Sequence, residues 1–453
     1  MAKNIVIFSD GTGQRSGEHF DENRTNVYKL YRACRVGPDS PIDPADQFAF
    51  YDPGVGTLSP SLGLLGAVGP ALYNLVCRAT GLGLTANVEQ CWAAIVKVWE
   101  PGDRIFLVGF SRGAYTVRCV GAVLKWCGVP TAMPDGSPLR KDPATLRRLA
   151  HEAVEQVYLH VGGEKRGGAR EAARLEQRRL LAERFRARWS SADAPPHFIG
   201  VFDTVATVGN LSSLIVACMT VAALAALAAA VLAALTPWSF PACLAGVVAA
   251  TVAVGFVAWI RTHFKVAFGL PGHPWWTTAH FNPVRMRFYD TTLDTRVGWA
   301  RHALAIDEFR KDFDRVVWGN VDQLRAVAPG EPEWLRQIWF AGNHADVGGG
   351  YAEAESRLSD AALAWMVEEA TTIPDGLRVD RAVLATHPAA DGMQHDESKR
   401  IPFRWGAKIV RRIPPDAPLD PLVLARMKLA RVLQYDEQKP YRPANLAGHV
   451  DVG

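Results

Sequence analysis

Residues 108–115, VGFSRGAY, place a serine between two glycines where an apolar run meets a helical pattern. The run at 104–108 predicts a short buried strand, and residues 114–126 predict a helix. A G-x-S-x-G sequence in this setting is typical of a nucleophile elbow, where the chain turns too sharply for side chains at the flanking positions. Gly109 and Gly113 would leave that space clear, so we expect Ser111 to stand over the end of a sheet as a nucleophile.

The composition indicates an ordinary folded chain of 453 residues, whose 49% hydrophobic content can fill a large core. Its formal net charge of +4 is too small to predict a nucleic-acid partner, although it would not oppose an anionic membrane surface. The apolar run at 4–8 predicts a first strand and is too short for an export signal. Widely spaced cysteines without a C-x-x-C pair predict a reducing compartment, with neither a zinc site nor a disulfide framework. These cysteines are Cys34, Cys77, Cys91, Cys119, Cys127, Cys218 and Cys243.

Strand and helix patterns alternate along the chain, which predicts an α/β fold with a mostly parallel sheet flanked by helices. The predicted strands are 4–8, 47–51, 104–108, 197–202, 284–289 and 337–340, and the predicted helices are 26–34, 87–99, 114–126, 163–189 and 360–370. We expect the core to be built from residues 1–203 and 261–370, interrupted by an inserted hairpin at 204–260. A C-terminal extension, 371–453, follows, and its Pro- and Arg-rich part carries no motif.

The insertion is apolar throughout, because residues 204–260 contain no Asp, Glu, Lys, Arg or His. A bilayer core requires about 20 apolar residues per helix, and 211–235 and 242–260 satisfy this length on either side of a Pro-containing turn. We therefore expect a transmembrane hairpin whose two ends face one compartment. Arg261 and Lys265 follow the second span closely, which predicts that the catalytic part lies on the cytoplasmic side.

Two alternatives to a constitutive membrane hairpin also fit the sequence. The apolar helices could instead pack inside a soluble protein, or they could be sheltered until delivery to a target membrane. A similar choice applies to the Arg- and Glu-rich segment 163–189, which predicts either a solvated helix packed through an apolar stripe or a basic lid over phosphate headgroups.

A serine hydroxyl is a weak nucleophile and requires a general base and an acid that orients the base. Asp203 directly follows the apolar strand 198–202, and His344 lies in a small-residue loop after the strand 337–340. The chain order Ser111, Asp203, His344 is therefore our predicted catalytic triad. His302, with Asp307 as its acid, is the alternative base.

The oxyanion requires backbone amides near the serine, and we assign them to Gly11, Thr12 and Arg112. The triplet at 10–12 also resembles a phosphatase signature, but Phe8 occupies the position of the attacking aspartate. Asp346 beside His344 has no further ligands at metal-binding spacing, so we predict neither a metal nor a cofactor.

Seven segments together resemble the bacterial α/β-hydrolase domain of unknown function whose studied members are type VI secretion lipase effectors. They are FSDGTG, TNVYKLYR, FYDPGVGT, VGFSRGAYTVR, GVFDTVATVG, RHALAIDE and WFAGNHADVGGGY, and they occur in the family's order. The resemblance implies a serine hydrolase acting on membrane phospholipid esters, with the catalytic roles on Ser111, Asp203 and His344. It also implies a membrane-associated insertion between the acid and the histidine, where 204–260 lies.

These observations predict a membrane-tethered phospholipase or lipid esterase that works through an acyl-enzyme. Its expected substrate is a lipid ester. A secretion-system or chaperone partner and delivery to a target cell are further expectations, although the sequence carries no evident secretion adaptor. The alternative from another class is a non-enzymatic membrane protein, a toxin or scaffold, with a degenerate hydrolase domain.

Overall fold

The computed structural model describes residues 2–11, 23–54, 83–161, 169–205, 211–282, 292–319, 332–399 and 406–452. The predicted strand 284–289 lies outside these residues.

A six-stranded sheet forms the centre of the molecule, with the order β2-β1-β3-β4-β7-β8 and every neighbouring pair parallel. The strands of the molecule are β1 Asn4–Ser9, β2 Gln47–Asp52, β3 Arg104–Phe110, β4 Phe198–Phe202, β5 Phe264–Lys265, β6 His280–Phe281, β7 Trp299–Ala305, β8 Leu335–Phe340, β9 Val432–Gln434 and β10 Glu437–Lys439. The prediction of a mostly parallel sheet is confirmed.

Helices cover both faces of this sheet, which confirms the predicted α/β class. They are α1 Asn26–Cys34, α2 Gly83–Val98, α3 Arg112–Cys127, α4 Pro143–His151, α5 Ala169–Arg188, α6 Leu211–Leu235, α7 Phe240–His263, α8 Trp275–Thr278, α9 His344–Gly348, α10 Arg357–Thr372 and α11 Pro421–Lys428. A π-helical turn, Glu152–Val157, continues α4.

The apolar strand sequences follow from burial on both faces of the sheet. Successive side chains of a strand point to opposite faces, and in β1 Ile5 and Ile7 belong to the apolar cluster formed with α2 to α5. Val6 and Phe8 belong to the second cluster, formed with α1 and α10. All six residues of β1 are buried, as expected for a strand inside a parallel sheet.

Strand β7 is absent from the predicted strands, because Arg301 and His302 interrupt its apolar pattern. Both side chains are fully buried. Arg301 forms an ion pair with Glu369 and donates to the backbone carbonyl of Ala300 at 2.8 Å. These partners make a buried arginine compatible with an interior strand.

The uncharged insertion forms two long helices, α6 and α7, of 25 and 24 residues. At a rise of 1.5 Å per residue each is about 36 Å long, and both are long and apolar enough to cross a membrane. Met219, Leu235 and Val254 are 67%, 77% and 70% exposed. This exposure contradicts the alternative in which the pair is buried inside a soluble protein.

The C-terminal extension packs at the edge of the sheet beside β8. Leu419 pairs with Trp339 in a parallel bridge, and the amide of Trp339 donates to the carbonyl of Pro418 at 3.0 Å. A third apolar cluster joins the ends of β7 and β8 to buried side chains of the extension, among them Val423 and Tyr441. The extension thereby reaches the carboxyl ends of the central strands.

The chain turns sharply between β3 and α3, where Ser111 has φ 58° and ψ −119°. A Cβ atom added at Gly109 would lie 2.5 Å from the carbonyl oxygen of Gly113, and one at Gly113 would lie 1.9 Å from that of Ser9. Gly109 therefore permits the turn to close on itself, and Gly113 permits the turn to approach the end of β1.

This packing predicts that Gly113→Ala destabilises the protein by about 3 kcal/mol or more, at the upper end of overpacking costs, because the new methyl group meets backbone atoms. Gly121→Ala in the same helix is the matched control, since its Cβ would meet the mobile end of Ile199 at 3.3 Å. Thermal unfolding of the purified proteins measures both. Equal melting temperatures for the two variants would contradict the close approach.

Candidate active site

The three predicted catalytic residues follow three parallel strands at the carboxyl edge of the sheet, of which β3 and β4 are neighbours and β8 is separated from β4 by β7. Ser111 follows β3, Asp203 follows β4, and His344 begins α9 after β8. The amide of Ser111 donates to the carbonyl of Phe202 at 3.1 Å, which ties the serine turn to the strand that carries the aspartate. The sheet thus gathers residues that lie more than 200 positions apart in the chain.

His344 and Asp203 form a buried pair. The distance from His344 Nδ1 to Asp203 Oδ2 is 2.6 Å, and the two residues are 4% and 0% exposed. His344 Nε2 is also buried and has no hydrogen-bond partner among the described residues. Phe110 and Phe313 pack against the imidazole, with ring centroids 4.6 Å and 5.1 Å away. The ring is therefore held through Nδ1, and Nε2 makes no hydrogen bond to the described residues.

Arg411 is a further member of this site that the sequence did not predict. Its Nη1 lies 2.6 Å from Asp203 Oδ1, and its Nη2 lies 3.0 Å from Asp203 Oδ2. The amide of Ala305 also donates to Asp203 Oδ1, at 3.0 Å. Arg411 belongs to the C-terminal stretch that carries no motif, and no local pattern distinguishes it from the other arginines there.

Charge and burial have opposite effects on the protonation of the Asp203–His344 pair. Burial alone would raise the pKa of Asp203, but Arg411 and His344 outweigh it and hold that pKa well below its usual range. Burial lowers the pKa of His344, although Asp203 opposes this effect. The pair therefore consists of a carboxylate and a neutral imidazole at pH 7.

Capping interactions shape the turn that presents His344. Asn343 caps α9, and its side chain and that of Asp346 form a reciprocal capping box. Asp346 also accepts from Nδ1 of His395, another residue of the extension, at 2.7 Å. Glu308, ion-paired with Arg310, accepts from the His344 amide at 3.3 Å. Asp346 thus organises the histidine turn.

The predicted oxyanion donors are only partly described. A Cβ atom added at Gly11 would lie 3.6 Å from Ser111 Cβ, so Gly11 is beside the serine. Its amide, however, donates to Asp10 Oδ1 at 2.7 Å. Arg112 begins helix α3 directly after Ser111, at the helix end whose dipole favours an anion. Thr12 lies outside the described residues.

The alternative base and acid, His302 and Asp307, have separate partners. His302 Nε2 accepts from the amide of Thr204 at 3.3 Å, and burial lowers the His302 pKa to about 3. Asp307 accepts from the Tyr441 hydroxyl at 2.7 Å and from the Gly342 amide at 2.8 Å. These hydrogen bonds do not join Asp307 to His302, as they would if the acid oriented the base.

A parallel sheet with a serine turn and a His–Asp pair at its carboxyl edge is the arrangement of α/β hydrolases. Residues 3–235 and 251–369 match the family described as "T6SS, phospholipase effector Tle1-like, catalytic domain". The chain belongs to this family, which confirms the resemblance drawn from the sequence motifs.

Individual relatives are more distant. An uncharacterized protein of Saccharomyces cerevisiae is 29% identical over 224 residues, which cover 48% of this chain and 28% of the yeast protein. An uncharacterized protein from Pseudomonas aeruginosa of known crystal structure is 18% identical, with TM-score 0.37, over 85% of this chain and 48% of that one. The Tle1 effector, solved bound to the VgrG spike from the Type 6 secretion system, is 14% identical, with TM-score 0.29, over 79% of this chain and 52% of the effector. The chain therefore spans about half or less of these proteins.

Proposed function

We propose that this protein is a membrane-associated serine hydrolase that cleaves ester bonds of phospholipids or related lipids. The observation that carries the proposal is the buried His344–Asp203 pair, whose Nε2 has no partner among the described residues, at the sheet edge that also holds Ser111. Membership of a phospholipase effector family supports a lipid ester as the substrate.

In the acylation step, the Ser111 hydroxyl attacks the ester carbonyl carbon while His344 Nε2 accepts the hydroxyl proton. Asp203 orients the ring through Nδ1 and stabilises the imidazolium that forms. The Arg112 amide, at the start of α3, donates to the developing oxyanion. Gly11 would contribute after its amide is released from Asp10, and Thr12 is the other proposed donor.

The intermediate then collapses, the ester C–O bond breaks, and the imidazolium returns its proton to the departing alcohol. This leaves an acyl group on Ser111. Water enters, His344 removes one of its protons, and attack on the acyl carbonyl releases the fatty acid and regenerates the serine. Lipid release from mixed micelles by the wild type, compared with Ser111→Ala, tests the overall reaction.

The apolar hairpin provides the proposed contact with the substrate membrane. Helices α6 and α7 are long enough to cross a hydrocarbon core of about 30 Å. Trp238 lies in the turn between them, and Trp259, Trp275 and Trp276 lie near their base, all at least 40% exposed. We propose that both helices span the bilayer, with the catalytic part on the cytoplasmic side, and that a type VI secretion system delivers the protein to its target cell.

The triad predicts that Ser111→Ala, His344→Ala and Asp203→Asn each lower kcat by about 10³- to 10⁶-fold without adding to one another, because the three residues act as one unit. Lipid release with purified variants measures this loss. His302→Gln is the control, since His302 is equally buried but outside the triad, and its rate per folded molecule should remain that of the wild type. An inactive His302→Gln beside an active His344→Ala would assign the base to His302.

The low pKa of His344 predicts the acid side of the pH profile. A base works in its neutral form, and burial moves its protonation below the usual histidine value of about 6.5. We therefore expect kcat/KM to reach half of its plateau value only at a pH below 6.5. A profile already falling above pH 7 would contradict a buried neutral base.

The hairpin predicts that the protein resists extraction from membranes by carbonate, and that replacing residues 211–260 with a Gly/Ser linker releases it. A matched pair tests the depth of insertion, because Val254 in α7 and Val450 in the extension are both 70% exposed. Val254→Lys should reduce membrane retention, since a lysine at mid-helix costs about 2.5–3.5 kcal/mol on insertion, and Val450→Lys should not. Intact wild type in the soluble fraction without detergent would overturn the bilayer proposal.

A further inference from the structure

We infer that Arg411 is a positioning residue that the C-terminal extension supplies to the triad acid. In this role its guanidinium fixes the plane of the Asp203 carboxylate and keeps it ionised, so that Oδ2 faces His344. The inference rests on the proposed function, because it concerns the same triad.

The contacts of Arg411 leave the guanidinium little freedom. The side chain is buried and binds both carboxylate oxygens of Asp203. Nη1 also donates to the carbonyl of Ala305 at 2.9 Å, and Nη2 donates to that of Phe313 at 2.5 Å. Ala305 ends β7 and Phe313 packs on the His344 ring. One side chain therefore ties the acid, a sheet strand and the wall of the imidazole together.

The Arg411 charge also acts on both members of the His–Asp pair. A buried carboxylate without a cation tends to take up a proton, and a protonated Asp203 would stabilise an imidazolium poorly. Because the same cation binds the carboxylate that contacts His344, Coulomb repulsion should also disfavour a positive charge on the ring. Removing the Arg411 charge should therefore raise the proton affinity of Asp203 and of His344. Removing an arginine with a purely structural role would leave both proton affinities unchanged.

Arg411 reaches the site from outside the family match, which ends at residue 369. The extension is anchored by the Trp339–Leu419 bridge and by the Tyr441 hydroxyl on Asp307, which in turn accepts from the amide of Gly342. Gly342 lies two residues before His344. Docking of the extension and alignment of the triad are consequently one event.

The test compares Arg411→Met and Arg411→Lys with the wild type in two assays over a range of pH: lipid release and the rate of Ser111 labelling by a fluorophosphonate. We expect Arg411→Met to lower kcat and the labelling rate by about 10- to 100-fold with little change in KM. It should also move the acid limb, the part of the pH profile where the rate falls with falling pH, to higher pH. Arg411→Lys keeps the charge, so its acid limb should stay near that of the wild type. Its kcat should still fall, because one ammonium group cannot hold both oxygens in the same fork.

Arg301→Met is the matched control. Arg301 is another fully buried arginine, which pairs with Glu369 and backbone carbonyls near the amino end of β7. The Arg301→Met variant should lose thermal stability. Its rate per folded molecule and the position of its acid limb should remain those of the wild type. The inference is overturned if Arg411→Met behaves in the same way.

The outcomes separate this inference from the proposed function. Wild type that is labelled but releases no lipid would overturn the lipid substrate, and the labelling rates would still decide the role of Arg411. Should Arg411→Met fail to fold, Arg411→Lys decides, and full wild-type kcat in that variant overturns the positioning role. Wild type without any labelling would overturn the serine nucleophile and the inference together.

Discussion

The carboxylate of Asp203 is a fully buried negative charge. The groups at the carboxyl edge of the sheet are arranged so that they neutralise it. Burying an isolated ion is costly, so such a group requires paired charge and hydrogen bonds. Asp203 obtains them from Arg411, His344 and the Ala305 amide, which come from three different parts of the chain. A single buried acid therefore requires β4, β7, the turn after β8 and the C-terminal extension to meet at one point.

Two carboxylate–histidine pairs lie close together in this region, and their second nitrogens differ. Asp203 binds His344, whose Nε2 has no partner among the described residues. Asp346 binds His395 in the same way, but Nε2 of His395 faces Glu355 at 3.2 Å. The first histidine is held through Nδ1 alone, as the proposed base requires, whereas the second is held through both ring nitrogens and supports the turn. The two similar pairs thus differ in how their surroundings bind the second nitrogen.

Sequence reasoning succeeded where the signal is local. The apolar run of β1 and the helical spacing of α1 predicted both elements, and Ser111, Asp203 and His344 became candidates because each lies at or just after the end of an apolar run. It missed β7 because the burial of Arg301 depends on Glu369, which lies 68 positions away. It missed Arg411 for the same reason, because the partner that explains it, Asp203, is separated from it by 208 positions. Neither partner leaves a pattern in the neighbouring sequence.

Arg411 follows Ser111, Asp203 and His344 in the chain, and this order has a consequence for biosynthesis. A ribosome completes the serine turn, the aspartate and the histidine well before it adds residue 411, and domains begin to fold while synthesis continues. During that interval the Asp203 carboxylate lacks its cation, and the edge of β8 lacks the strand-like segment around Leu419. Synthesis of residue 411 therefore completes the charge balance around Asp203, and a nascent chain that stops before it carries Ser111, Asp203 and His344 without the cation that neutralises the carboxylate.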